Sequence, residues 1–366
     1  MKVMHVVGNR PQFIKLAPVS RELRKRGIDE IIIHTGQHYD KNMSDIFFEE
    51  LEILPPTENL FVGSGTHAEI TAKSMLGLEK VMNKYPVDYV IVYGDTNSTL
   101  AAALVAAKLC IPIVHVEAGG RTRNMRNPEE CNRIVVDHLS SILCAQDQKS
   151  YQNLFDEGID EKKIFFTGDV MYDEFLYCSK KNICLEETKD DKDYILLTWH
   201  RQENTCNKER MKKILAFLSQ IDCKIIFPIH PRTRKMLKEY ELENELINIK
   251  NLVLMNPVGY FEMVSLLKGC RLVISDSGGT SKEASFLGKK CFYILNLDIW
   301  PELSASGYVQ MVDMEDTVSV ESGLKDISME LSIGEIRGKS VFFGDGNAAV
   351  KIVDLIEKSN ILRKEE

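Results

Sequence analysis

The 366-residue sequence predicts an α/β protein made of two Rossmann-like halves, and three observations carry that prediction. Short apolar runs alternate with helical stretches, nearly every run ends in Gly, His, Asp or Glu, and a charged stretch, "CSKKNICLEETKDDKDY", splits the runs into two series. Strand, loop and helix repeated in this way give a doubly wound parallel sheet, and polar residues at the strand ends fall where open α/β sheets bind ligands. Two sheets facing each other across a cleft are the expected architecture. The expected divisions are an N-terminal domain over 1–172, a C-terminal domain over 173–346, and a last helix over 347–366 that packs back on the first domain.

The elements follow in order. "MKVMHVV" is a valine-rich run stopped by Gly8, as a buried strand ends, and "IKLAPVSRELRKRG" has apolar residues at Ile14, Ala17, Val19 and Leu23, as a helix does. "IDEIIIHTG", "VDYVIVYGD", "IPIVHVEAG", "SSILCAQD" and "KKIFFTGD" are the remaining strands of the first half. "YILLTWH", "CKIIFPIH", "NLVLMNP", "RLVISDSGG" and "KCFYILN" are those of the second. "NAAVKIVDLIEKSNILRKEE" follows a glycine-bearing turn, "FFGDGN", and is the terminal helix.

Composition excludes several classes. A length of 366 with 44% hydrophobic residues allows about two domains at roughly 150 residues each. The net charge of −8, with no long lysine- or arginine-rich tract, argues against nucleic acid. No apolar run approaches the roughly 18 residues of a membrane span, and "MKVMHVV" is too short for a signal peptide. A cytoplasmic protein is expected. The nine cysteines are scattered and odd in number, with no C-x-x-C, and read as reduced structural thiols. Cys110 and Cys291 lie in apolar, strand-like contexts where a cysteine acts as a small hydrophobe. Neither G-x-x-x-x-G-K-[ST] nor G-x-G-x-x-G occurs at the strand ends, so a P-loop ATPase and a nicotinamide enzyme are unsupported.

Several strand ends carry candidate chemistry. Arg10 and Lys15 sit at the first strand-to-helix turn, where backbone N–H groups and the helix dipole favour an anion, so both are candidate phosphate or carboxylate ligands. Asp95 in "YGDTNSTLAAALVAA" is either a helix N-cap or a site carboxylate. Glu117 in "HVEAGGRT" is an acid at a strand end beside small residues, expensive to bury unless paired or used. "NPEECNRIVVDHLSS" adds Glu129, Glu130, Arg133 and His138, one of the two glutamates reading as an acidic first turn that complements the helix dipole.

In the second half, Ser277, Gly278, Gly279 and Thr280 lead into a helix beginning near Ser281, a turn whose free N–H groups suit a diphosphate. Glu283 is placed for a ribose or for a capping box. "LLTWHRQEN" supplies His200, Arg201 and Glu203, and "FPIHPRTRK" supplies His230 and Arg232. Two histidines at successive strand ends, each followed by arginine, suit a doubly charged phosphate group.

"GNRPQFIKLAP", "TGQH", "YGDTNSTLAAA", "HVEAGGRT", "PEECNR", "TWHRQEN", "SDSGGTSKEA" and "FGDGNAA" stand in the order found in the non-hydrolysing UDP-N-acetylglucosamine 2-epimerases, which this chain resembles from Met1 to about Ile352. The resemblance implies a glycosyltransferase-B fold, with the nucleotide held mainly by the second domain and the sugar between the two, in a homodimer. It implies catalytic roles for Asp95, Glu117, Glu129, Lys15 and His200. Substrate and UDP contacts fall on Arg10, Arg133, Arg201, His230, Ser277, Gly278, Gly279 and Glu283. The implied reaction is removal of the carbon 2 proton with loss of UDP from carbon 1, then return of the proton to the other face and re-addition of UDP. It requires no metal or redox cofactor, and it feeds cell-surface polysaccharide synthesis.

Departures from the family pattern bear on the substrate. Many members have "GTRPE", "HGDT", "GLRT" and "TERPE" where this chain has "GNRPQ", "YGDT", "GGRT" and "DIWPE". "RPQFIK" and "GDVMYD" are more similar to the branch acting on UDP-2,3-diacetamido-2,3-dideoxyglucuronic acid. A hydrolysing epimerase and a glycosyltransferase of the same fold are the remaining alternatives.

Overall fold

The computed structural model describes residues 1–36, 48, 50–181, 183, 185–188, 193–296, 300–333, 338, 340 and 342–365. Two compact units divide the chain: Met1–Tyr177 with Phe342–Glu366, and Cys178–Val341. The divisions drawn from the sequence, at 172/173 and 346/347, differ by a few residues from these.

The first unit is built on seven parallel strands: β1 (Lys2–Val7), β2 (Asp29–His34), β3 (Glu58–Asn59), β4 (Tyr89–Tyr93), β5 (Ile113–Ala118), β6 (Ile142–Ala145) and β7 (Ile164–Phe166). Their order is β3-β2-β1-β4-β5-β6-β7. Parallel strands are covered on both faces, so they read as continuous apolar runs rather than alternating ones. β4 is buried throughout, as is β1 after Lys2. β3 was not legible, because a two-residue edge strand has no run to read.

The helices of this unit are α1 (Arg10–Lys25), α2 (His67–Lys84), α3 (Asn97–Lys108), α4 (Pro128–Leu139), α5 (Gln148–Asp156) and α6 (Val170–Ser179). Asn9 caps α1, Thr66 and Glu69 form a capping box on α2, and Thr96 caps α3 by accepting from the Thr99 N–H. Each such cap satisfies a helix donor that would otherwise lack a partner. α1 starts at Arg10, so Lys15 lies inside the helix rather than on the preceding turn.

The second unit carries six parallel strands: β8 (Tyr194–Thr198), β9 (Lys224–Pro228), β10 (Leu252–Met255), β11 (Leu272–Ser275), β12 (Cys291–Tyr293) and β13 (Val309–Met311). Their order is β10-β9-β8-β11-β12-β13. β13, three residues at an edge, also escaped the sequence reading. The longer helices here are α7 (Lys208–Ser219), α8 (Pro231–Glu239), α9 (Tyr260–Gly269), α10 (Gly278–Phe286) and α11 (Thr317–Ile333). α10 begins at Gly278, three residues before the expected start, because Ser277 is its cap.

The last helix, α12 (Ala348–Glu365), belongs to the first unit. It buries Ile352, Val353 and Ile356. Arg26 at the end of α1 pairs with its Asp354 and Glu357 at 2.5 and 2.6 Å. Asp173 accepts from the Ala348 and Ala349 N–H groups at 3.1 and 2.7 Å, satisfying the start of the helix. Burial pushes the Asp173 carboxyl up to about 6, against those two hydrogen bonds and with the help of the Asp169 and Asp345 charges.

Cys291 is buried in β12, as expected. Cys110 is not in a strand. It is exposed on the turn after α3, with φ +56°. Among the described residues no helix is long and apolar enough to cross a membrane.

Candidate active site

In a doubly wound sheet the crevice lies where the strand order reverses, outside the carboxyl ends of the strands. In the first unit that point falls between β1 and β4. Gly8 follows β1, and a Cβ there would collide with the hydroxyls of Thr35 and Ser98, which lie 2.7 Å apart. Gly94 follows β4 at φ +61°, and a Cβ there would lie 3.1 Å from the Lys15 ammonium. Gln12 ties the two turns together. Its oxygen accepts from the Gly8 N–H at 2.7 Å, and its amide donates to the Tyr93 carbonyl and the Thr99 hydroxyl at 2.8 and 3.0 Å.

Three carboxylates gather beyond these turns, and each is held differently. Thr96, not Asp95, caps α3, so the Asp95 carboxylate is available for another partner. That partner is Arg133, whose Nε and Nη2 donate to Asp95 Oδ2 at 2.9 and 2.7 Å. Glu117 is ion-paired with Lys15, both largely shielded from water. Its backbone is left-handed, φ +70°, at a register shift between Val116 and Ala118. Glu129 is half-buried in the first turn of α4, and its side chain has no hydrogen-bond or ion-pair partner among the described residues.

The adjacent glutamate behaves otherwise. Glu130 is 1% exposed and accepts from the Thr122 N–H and hydroxyl, the Arg123 N–H and Arg133 at 2.7–2.9 Å. Burial alone would raise its carboxyl, but these donors outweigh burial and hold it below the usual range. Glu130 is thus the structural member of the pair, fixing the 120–123 loop and steering Arg133. His138 is exposed and, among the described residues, bonds only its own helix, Nδ1 meeting the Ile134 carbonyl at 2.9 Å.

The second unit reverses its strand order between β8 and β11, and its polar residues collect there. The sequence reading missed the organising residue, Asp276. Fully buried after β11, it accepts from the His200 N–H at 3.0 Å, the Arg201 N–H at 2.9 Å and the Asn204 amide at 3.2 Å. The same signal that marked Asp95, an acid closing a buried run, marks Asp276 in "RLVISD". His200 Nδ1 lies 3.7 Å from Asp276 Oδ1, and its ring is 5.1 Å from that of His230. His230 is exposed and caps α8, its Nδ1 accepting from the Arg232 N–H at 3.1 Å. Arg201 is half-buried beside this pair.

Ser277 accepts from the Thr280 N–H, and its own N–H donates to Ser275 Oγ at 2.8 Å. The first N–H groups of α10, at Gly278 and Gly279, have no carbonyl to bond within their own helix. Nothing crowds Gly279: the nearest atom to a Cβ there is Ser277 Oγ, 3.8 Å away. Glu283 is not a capping-box residue. It lies buried on α10 and accepts from the Tyr260 hydroxyl at 2.8 Å. Trp300 donates from Nε1 to the Gly278 carbonyl at 2.8 Å, and the Lys282 ammonium lies 4.8 Å from the centre of its ring.

Arg10 is the first residue of α1, and its side chain lies outside the described residues, as do Gln37 and His38 of "TGQH". No group of three or more His, Cys, Asp or Glu side chains among the described residues is placed to hold a metal ion.

The fold class is that of the glycosyltransferase-B proteins: Acinetobacter baumannii MurG shares it at a TM-score of 0.58 and 14% identity, over 98% of this chain and 100% of that one. Within that class, a family model described as UDP-N-acetylglucosamine 2-epimerase matches residues 21–357. A "UDP-N-acetylglucosamine 2-epimerase homolog" of Methanococcus maripaludis is 46% identical over 97% of this chain and 99% of its own length. The UDP-2,3-diacetamido-2,3-dideoxy-D-glucuronate 2-epimerase of Pseudomonas aeruginosa is 40% identical over 98% of this chain and 100% of its own. The crystal structure of the Methanocaldococcus jannaschii UDP-GlcNAc 2-epimerase in complex with UDP-GlcNAc and UDP aligns with a TM-score of 0.85 at 41% identity, over 98% of this chain and 100% of that one. The chain belongs to the UDP-N-acetylglucosamine 2-epimerase family.

Proposed function

We propose that this protein is a non-hydrolysing 2-epimerase of a UDP-N-acetylhexosamine, interconverting the UDP-GlcNAc and UDP-ManNAc forms by elimination and re-addition of UDP. The observation that carries the reading is the placing of Asp95 against Arg133 and of Glu117 against Lys15 on the first unit, with Glu129 in the first turn of the helix that bears Arg133. A carboxylate takes the proton from carbon 2, the carbon 1–oxygen bond breaks, a carbon 1–carbon 2 double bond forms, and UDP leaves with the bonding pair. The reverse steps deliver a proton to the opposite face and the UDP oxygen to carbon 1. Two faces require at least two proton-transfer groups, and the cluster supplies three candidates.

Lys15 and Arg133 keep positive charge beside Glu117 and Asp95, and Arg10 adds a further cation by sequence. On the second unit, His200, Arg201 and the Ser277–Gly279 turn are suited to neutralise charge developing on the departing diphosphate. His230 stands beside His200, and Glu283 is assigned to the ribose. A homodimer in the cytoplasm, feeding cell-surface polysaccharide synthesis, completes the proposal.

Within the two motifs that pointed towards the diacetamido-glucuronate branch, one residue of each has a structural partner. Gln12 of "RPQFIK" is buried, with its amide fully engaged by the protein, and Asp173 of "GDVMYD" caps α12. The test is incubation with UDP-GlcNAc, and separately with the diacetamido acid, in deuterated water while carbon 2 is followed by NMR. Epimerisation with deuterium uptake from UDP-GlcNAc is expected. Exchange on the diacetamido acid alone moves the substrate to that branch. Free sugar and UDP rising together mean hydrolysis, transfer to an added acceptor means a glycosyltransferase, and no exchange on either sugar refutes the proposal.

A further inference from the structure

The imidazole of His115, on β5, is wholly buried between two acceptors. Nδ1 lies 2.6 Å from Asp137 Oδ1, and Nε2 lies 2.8 Å from the Gly94 carbonyl oxygen. A carbonyl only accepts, so Nε2 carries a proton. Asp137 Oδ2 takes the Arg121 guanidinium at 2.8 Å and the Gly119 N–H at 3.2 Å, both of them donors. With the Arg121 guanidinium and a backbone N–H both donating to it, the Asp137 carboxylate is an ionised acceptor. Nδ1 then donates as well, and a ring that donates from both nitrogens carries a positive charge.

The two ends of this chain of bonds matter more than its middle. The Gly94 carbonyl belongs to the residue before Asp95, and the Gly119 N–H lies two residues after Glu117. His115 and Asp137 in series therefore join the turn after β4 to the turn after β5. The strut also braces the left-handed backbone of Glu117, which lies between His115 and Gly119 in the chain.

We propose that His115 is a positioning residue whose doubly donating ring, with Asp137, sets the spacing of the Asp95 and Glu117 turns. Its part in turnover rests on the 2-epimerase reading of those two carboxylates; the state of the ring does not.

The experiment uses the full chain labelled with 15N-histidine. The chain has eight histidines, and the His115 signals are those lost in His115→Asn. In the folded protein both ring nitrogens of His115, each facing an acceptor, are expected to show the shifts of protonated nitrogen. A bare nitrogen on that ring overturns the strut. Activity is read on two variants: His115→Asn places a donor near the Nδ1 position, and His115→Gln places one near Nε2. Each keeps half of the bridge, so folded variants should lose kcat by roughly 100-fold with KM little changed, the scale expected for a displacement of about 1 Å. A folded variant with wild-type kcat overturns the positioning role. If neither variant folds, the His115 signals are assigned on the wild-type protein by through-space contacts to Gly94 and Asp137, which flank the ring, and the ring measurement decides. A wild-type chain with the doubly protonated ring and no turnover of either UDP-sugar refutes the epimerase reading and leaves the strut supported.

Discussion

Glu129 and Glu130 are neighbours in sequence, and exchanging each for glutamine should have opposite consequences. In Glu130→Gln, the best orientation keeps the amide oxygen where Oε2 meets the Thr122 N–H, the Thr122 hydroxyl and Arg133. The new NH2 group then faces the Arg123 N–H, which donated to Oε1 at 2.8 Å. Two donors pointing at each other in this part-buried site cost about 1–3 kcal/mol, and losing the charge opposite Arg133 adds about 1 kcal/mol. At roughly 2–4 °C per kcal/mol for a unit of this size, the melting temperature should fall by roughly 4–16 °C, with most turnover retained in the folded fraction. Glu129→Gln breaks no hydrogen bond or ion pair among the described residues, so its melting temperature should move by no more than about 2 °C. Its loss is in rate, about 100- to 10,000-fold if it is a positioned proton-transfer group. The assay is kcat and thermal melting on both variants in parallel. A Glu129 variant that melts low yet turns over normally, or a Glu130 variant that melts normally yet is inactive, refutes the assignment.

Lys15→Met with Glu117→Gln should abolish turnover while destabilising the fold less than either change alone, since removing both members of a shielded pair leaves no uncompensated charge; a double variant that melts below both single ones contradicts this. Asp173 has a folded value of about 6 against an ordinary 3.8, so its protonation favours the folded state and its contribution is lost as pH rises through about 6. Wild-type melting should therefore drop relative to Asp173→Asn between about pH 4 and 7, and a pH-independent difference would show that the cap does not titrate there. Trp300→Phe removes the Nε1 bond to the Gly278 carbonyl and keeps an aromatic face for Lys282, and it leaves Trp199 as the sole tryptophan. UDP affinity should weaken by roughly 2- to 10-fold, the worth of one neutral hydrogen bond, and an unchanged Kd by calorimetry refutes Trp300 as a support of the turn.

The long strands were legible because parallel strands covered on both faces are uninterrupted apolar runs, as at "YVIVY" in β4 and "YILLT" in β8. β3 and β13 were not, since two or three residues at an edge leave no pattern to read. Capping was legible in kind and wrong in position. "GDTNST" offers both Asp95 and Thr96 as caps, and only the structure shows that Thr96 caps the helix while Asp95 meets Arg133. Adjacent glutamates in a first turn look alike in sequence, yet the helix sends them about 100° apart, one into Thr122 and Arg123 and the other away. Asp276 and His115 were passed over for a common reason. Each is a polar residue attached to a buried strand, and its meaning lies in long-range partners, 76 residues away for Asp276 and His200, and 22 for His115 and Asp137. Positive φ at a glutamate is likewise invisible in sequence, because no residue type announces it.

That conformation says something about what the first unit is arranged to do. A non-glycine residue held left-handed costs about 1–3 kcal/mol, and glycine at 117 would remove the strain outright. A largely shielded Lys–Glu pair is weak evidence for stability, because desolvation offsets much of its attraction. The unit therefore carries a strained backbone and an ion pair of small net worth at one residue, while glycines take positive φ nearby at 94 and 119. Both features persist because neighbouring bonds over-determine the turn. The Gly94 N–H donates to the Val116 carbonyl at 3.0 Å, the Gly119 N–H donates to Asp137 at 3.2 Å, and the Asn153 amide donates to the Gly119 carbonyl at 3.0 Å. Stability alone would select against this arrangement. A carboxylate delivered at one fixed point beside Lys15, at the carboxyl end of a central strand, is what the strain secures.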